Sequence, residues 1–284
     1  MNEQEQSPTI RRIVVALDAS PHSEAALEAA LQMAARFEAE VLGLYVEDVD
    51  ALRIAQIPFA REVGGYSGRS RTMSIEELER KYRARIREIR RQFRARSHRA
   101  AVEAAFRVVR DRINRAIRAE AAEADVLIVG RSGWSPIERL RFGSTARFVC
   151  CEDVPEMTLV LHRGAELREP FLVVFDGSLR ARKALHAASN FTEVQTLPLE
   201  VLLIADEARD VQTLRDVVRE ELQDHDVMIR FHVLSESNVM RLVDAIHRVH
   251  GGTLVVPASV SLLEEEEALI TLLEDVDIPV LLVR

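Results

Sequence analysis

Three glycines, three arginines and a hydroxyl pair crowd into residues 130–145, GRSGWSPIERLRFGST. Glycines let backbone N–H groups approach an anion with no Cβ in the way, and guanidinium and hydroxyl groups add further donors. DVLIVG (125–130) reads as a buried strand ahead of the stretch, and TARFVCCED (145–153) as a helix behind it. Gly143-Ser144-Thr145 would then open a helix whose unpaired N–H groups and dipole favour negative charge. That places the stretch at the carboxyl edge of a parallel sheet, where α/β proteins bind ligands. No Gly-Lys-Ser/Thr follows, and the spacing is not GxGxxG, so neither common phosphate loop is present. Taken alone, the stretch reads first as a glycine-rich loop capping a helix.

The elements that must position it are legible from apolar patterning. IVVAL (13–17) is short and β-branched and ends at Asp18, a buried strand. Ser20 and Pro21 follow as N-cap and first helical residue, ahead of leucines and alanines at helical spacing. EVLGLYVED (40–48) is a second strand, and residues 49–73 read as irregular, broken by Pro58 and Gly64-Gly65. Ser74 and Glu77 form a capping box for the next helix. FRVVR (106–110) is a third strand, DRINRAIRAEAAEA a helix, and MTLVLHR (157–163) a fifth strand. This alternation predicts an α/β fold with a mainly parallel sheet.

The same order then begins again. RIVVALDASPHSEAALEAA (12–30) aligns with PFLVVFDGSLRARKALHAA (170–188), setting Asp18 on Asp176 and Ser20 on Ser178. EVLGLYV matches EVLLIAD (200–206), FRVVR matches IRFHV (229–233), and DVLIV matches TLVVP (253–257). The chain reads as an internal duplication, with domains 1–165 and 166–284.

Length and composition agree with two soluble domains: 284 residues, 48% hydrophobic and 30% charged. No apolar run is long enough to span a bilayer, and MNEQEQSPTI lacks the features of a signal peptide. Cys150 and Cys151 are the two cysteines and form no disulfide framework, so a reducing cytoplasm is expected. Residues 1–165 carry 27 Lys+Arg against 24 Asp+Glu, and residues 166–284 carry 11 against 22. The halves therefore differ in sign.

Gly130-x2-Gly133-x9-Gly143-Ser144 resembles the nucleotide motif of the universal stress protein family, as do Asp18 and Ser20 after the first strand. The resemblance covers both halves. It implies two tandem Rossmann-like domains of the adenine nucleotide alpha hydrolase type, each a five-stranded, mainly parallel sheet with flanking helices. It also implies ATP as ligand, with Mg²⁺. Asp18 would face the nucleoside, accepting from a ribose hydroxyl or an adenine amine, and Val46 would lie beside the base. Gly130, Gly133 and Gly143 would cradle the phosphates, with Ser144 and Thr145 donating to them. Arg131 and Ser132 fill the positions after Gly130, where several relatives have a small residue and a histidine. Arg141 and Arg139 would neutralise outer phosphates; surface charge is the equal alternative. In the family such units pair through their last strands, so MTLVLHR and PVLLVR are expected to pair within one molecule, which leaves room for a homo-oligomer or a protein partner besides.

The second half departs from the motif. Pro257 and Val260 replace the first two glycines, and Glu264 to Glu267 follow. One nucleotide site per chain is expected, in the first half. Residues 80–99 hold ten Lys/Arg, yet Leu78, Tyr82, Ile86, Ile89 and Phe93 mark an apolar helix face. A helix packed on the sheet is the preferred reading, and nucleic-acid or membrane binding is not expected. His247 and His250 lack further ligands for a metal, and helix-end charge complementarity explains them better. No catalytic residue stands out, since nothing offers an obvious base to activate water. The resulting expectation is a nucleotide-responsive stress regulator, with a nucleotide-independent scaffold or a slow ATP-hydrolysing enzyme as the alternatives.

Overall fold

A computed structural model describes residues 10–57, 61–63, 70–72, 75–132, 143–151, 155–192, 197–205, 207–235, 238–249, 252–258, 260–263 and 265–284. The chain divides into two compact units. One comprises Ile10–Pro155 with Leu161–Gly164, and the other holds Glu156–Val160 and Ala165–Arg284. Both are α/β, with mainly parallel sheets flanked by helices.

The first unit runs β1 (Arg12–Ala16), α1 (Pro21–Phe37), β2 (Glu40–Asp48), α2 (Val49–Ala55), β3 (Arg61–Val63), β4 (Ser70–Thr72), α3 (Ile75–Ala100), β5 (Ala104–Asp111), α4 (Ile113–Ala121), β6 (Val126–Gly130) and α5 (Ser144–Cys151). Its sheet has the parallel order β6-β1-β2-β5, while β3 and β4 form a separate antiparallel pair. The interval 49–73 is therefore not wholly irregular. Asp48, the last residue of β2, turns its carboxylate onto the Asp50 N–H at 3.0 Å and so starts α2. Ser74 of the expected capping box lies outside the described residues, as do Pro58 and Gly64-Gly65.

Helix α3 packs as its apolar stripe requires: Tyr82, Ile89 and Phe93 are buried while most of its arginines stay exposed. The Phe93 ring lies against the backbone of Gly43 in β2. A Cβ there would stand 2.6 Å from Phe93 Cε2, so this glycine is the hole that the ring fills. Tyr82 meets Tyr45 edge-on, with ring centroids 6.4 Å apart.

The second unit begins with most of β7 (Met157–Leu161) and continues through β8 (Phe171–Phe175), α6 (Leu179–Phe191), β9 (Leu199–Ile204), α7 (Ala208–Glu221), β10 (Ile229–Leu234), α8 (Val239–Val249), β11 (Thr253–Pro257), α9 (Glu266–Asp275) and β12 (Val280–Val283). Its strand order is β10-β9-β8-β11-β12-β7. All neighbours are parallel except β12 and β7, whose antiparallel register sets Val280 opposite Val160 and Val283 opposite Met157. The two expected last strands thus do pair within one chain. Glu264 and His250 lie outside the described residues.

Candidate functional site

The site starts from a turn dictated by four residues. After β1, the Asp18 carboxylate accepts the Ser20 N–H at 2.8 Å, and the Ser20 hydroxyl accepts the Ser23 N–H at 3.1 Å, capping α1. Ala19 between them is held at φ 65°, the left-handed region that disfavours a Cβ. The second unit repeats the device: Asp176 accepts from the Ser178 N–H at 3.0 Å and Ser178 caps Ala181, with Gly177 at φ 83°. Shaping this turn is therefore one duty of the aspartate in both units. In the first unit the bond uses Oδ1, leaving Oδ2 of Asp18 with no hydrogen bond to a described residue.

Gly130 ends β6 for a steric reason. A Cβ there would lie 2.7 Å from His22 Cβ and 2.9 Å from the His22 carbonyl carbon, so only glycine lets β6 approach the first turn of α1. Burial, with the Arg131 guanidinium next in weight, lowers the His22 pKa against the opposing pull of Asp18. Arg131 itself is held by backbone bonds. Its N–H donates to the Leu161 carbonyl at 2.6 Å, and its carbonyl accepts the Gly143 N–H at 2.8 Å. Gly143 thus closes the loop with its N–H rather than offering it to a ligand. The Gly143 carbonyl accepts from Arg147 at 2.8 Å to begin α5. The N–H groups of Ser144, Thr145 and Ala146 then have no partner among the described residues, as a helix start requires.

These parts enclose a cavity of about 310 Å³ at the carboxyl edge of the sheet. Asp18, Val46, Gly130, Gly143, Ser144 and Thr145 all line it. Arg131 does not stand among the lining residues, whereas its neighbour Ser132 does. Ser132 is 4% exposed, and its Oγ has no hydrogen-bond partner. A buried hydroxyl in that condition costs about 1–3 kcal/mol unless something binds to it. Gly133, Arg139 and Arg141 lie outside the described residues.

The opposite end of the cavity was not legible as a site. Tyr45, Asp48, Tyr82 and Arg85 line it there, with Leu44, Ile113 and Ile117 as apolar walls. Burial pushes the Tyr45 phenol up to about 12 and raises Tyr82 as well. Arg85 hydrogen-bonds the Tyr45 hydroxyl, and Tyr82 is hydrogen-bonded to the Asp48 backbone. The only signal for Arg85 was its place one turn from Tyr82 on the apolar face of a helix dense in arginine.

No group of three or more metal-ligating side chains occurs among the described residues, and no described helix is long and apolar enough to cross a membrane.

The model of the universal stress protein family matches residues 9–150, half of the chain. The chain belongs to that family. It is a tandem member, with two α/β units in succession. A universal stress protein from Archaeoglobus fulgidus DSM 4304 has the same fold at a TM-score of 0.72 and 16% identity, with 98% of this chain and 99% of that one covered. A putative universal stress protein from Pseudomonas aeruginosa UCBPP-PA14 gives 0.59 at 13% identity, covering 98% of this chain and 94% of its own. A universal stress protein in complex with cAMP matches 55% of this chain and 99% of its own at 22% identity and a TM-score of 0.35. No curated protein matches the chain.

Proposed function

We propose that this universal stress protein binds ATP, with Mg²⁺ on the phosphates, in the cavity of its first unit, and that occupancy regulates a stress response. The observation that carries this is the convergence, at one end of the cavity, of donors with no partner among the described residues. Ser144, Thr145, Ala146 and Ser132 with its orphaned hydroxyl line the same space, and the α5 dipole adds to them. Ser144 and Thr145 would hold phosphate oxygens, while Gly130 and Gly143 shape the loop. Asp18 Oδ2 would accept from the nucleoside, and the apolar walls near Val46 would take the base. Gly133 and Arg141 would complete the phosphate end. Magnesium keeps much of its shell from phosphates and water, so it would arrive with the nucleotide rather than need a protein cage. The role is binding rather than rapid turnover, because the donors are backbone groups and fixed dipoles.

One site per chain is proposed. In the second unit Pro257 stands where Gly130 does and has no N–H, and Glu266 and Glu267 open α9 with negative charge. The test is to denature freshly purified protein, identify any released nucleotide by mass, and titrate stripped protein with ATP and Mg²⁺. About one ATP per chain is expected, lost in Gly143→Asp, whose carboxylate would face the phosphates. Absence of both released nucleotide and binding heat would refute the reading.

A further inference from the structure

Each unit carries one helix of strongly one-sided charge, and the two signs are opposite. On α3, Arg80, Arg83, Arg87, Arg90 and Arg94 recur at steps of three and four and are all exposed. They lie on the side of the helix away from the buried Tyr82, Ile89 and Phe93. At 1.5 Å per residue the stripe is roughly 21 Å long. Few acids answer it. Arg83 reaches Glu79 at 3.6 Å, Arg87 donates to the Arg83 carbonyl, and Arg90 lies over the Phe106 ring. Arg80, Arg87, Arg90 and Arg94 have no carboxylate partner among the described residues.

In the second unit the sign is reversed. From Val249 to Val283 the sequence holds seven Asp and Glu and no Lys or Arg, and α9 lies within that stretch. Glu267 and Glu274 are exposed, on the side of α9 away from the buried Leu269 and Leu273. They stand seven residues, or two turns, apart, which is roughly 10 Å along the helix. Arg80, Arg87 and Arg94 repeat at the same two-turn interval. The two faces therefore match in spacing as well as in charge.

A basic face draws polyanions in general, and the rest of the chain decides among them. Nucleic acid would approach a molecule of net charge −8, whose residues 166–284 carry 11 Lys+Arg against 22 Asp+Glu. A lipid surface takes up apolar side chains along with basic ones, and α3 exposes no large apolar residue. The acidic unit of another copy has the opposite sign and the same repeat, and it is present wherever the chain is. We infer that copies of this chain associate through these unlike faces, the α3 arginines of one against the α9 carboxylates of another. The contact is heterologous, one patch against a different one. Exposed ion pairs are individually weak and screened by salt, so the association is reversible and belongs to low ionic strength. It does not depend on the nucleotide reading above.

Sedimentation velocity of the full chain tests this. The variants are Arg87→Glu with Arg94→Glu, and Glu267→Arg with Glu274→Arg, each checked for folding by circular dichroism. The wild type is expected to form larger species as its concentration rises at about 20 mM salt, and to sediment as a single copy at about 0.5 M, where the screening length is only a few ångströms. Each double variant sets like charges opposite each other. It should weaken the low-salt association by roughly tenfold or more, at up to about fivefold for each exposed pair. Mixed in equal amounts, the two variants should associate as the wild type does, because each supplies the complement of the other. That restoration separates the pairing of these two faces from a general effect of net charge. A wild type that stays a single copy at low salt would overturn the inference. So would an association that both variants leave unchanged, or one that mixing fails to restore. A single copy whose α3 face instead retains duplex DNA or anionic vesicles would overturn it as well, in favour of that occupant.

Discussion

Gly130 offers the clearest way to separate what the fold needs from what a ligand needs. Replacing it with alanine adds one Cβ, 2.7 Å from His22 Cβ and 2.9 Å from the His22 carbonyl carbon. Neither neighbour is the far end of a flexible side chain, so α1 must move away from β6. Overpacking of this kind costs about 1–3 kcal/mol, and contact with backbone points to the upper end of that range. For a unit of this size, about 3 kcal/mol corresponds to a melting-point drop of roughly 6–12 °C. The measurement is urea and thermal unfolding of Gly130→Ala in the absence of nucleotide, followed by circular dichroism. If the glycine serves only to let a phosphate approach, the nucleotide-free variant should unfold at the wild-type midpoint and lose affinity alone. That outcome would refute the packing argument. A destabilised apo protein would support it, and would make any loss of ATP binding in this variant partly a loss of structure.

Two further outcomes follow from the same geometry. Ala19→Gly should raise stability by about 1 kcal/mol, because it relieves a Cβ held at φ 65°; a lower urea midpoint would contradict this. The Tyr45 phenol, pushed up to about 12 by burial, should make the fold alkali-sensitive. Its folded value lies above the unfolded value of about 10, so its contribution is fully present below pH 10 and lost as the pH rises toward 12. Unfolding midpoints between pH 9 and 12 should fall in the wild type and fall less in Tyr45→Phe.

Much of this fold is written in short-range patterns. The strand over 40–48, the Ser20 and Pro21 start of α1 and the apolar stripe of α3 all follow from local spacing, and the structure has each of them. Helix α2 was hidden because VDALRIA is only two turns long and buries only Leu52 and Ala55, too little to show a period. Gly43 gives no local hint of its purpose, since its partner Phe93 lies fifty positions later. The candidate site divides along the same line. Its turn at Asp18 and its helix start at Gly143 are contiguous and legible. The function of Gly130 depends on His22 in the first turn of α1, over a hundred positions earlier, and Arg85 looks like one more solvated arginine until folding brings it to Tyr45.

The antiparallel pairing of β7 with β12 bears on how far this protein can be divided. The sequence repeat suggests two interchangeable modules, and a cut near residue 165 would appear to release the first of them intact. Such a fragment would carry Met157–Val160 away and leave β12 with a bare row of backbone donors and acceptors. Each released piece would then present a cohesive strand edge and should seek its complement, in the other piece or in a copy of itself. Duplication has given this chain two units of similar plan but not two independent proteins. A split version would behave as a reassembly pair, its signal set by how fast one short strand finds the other.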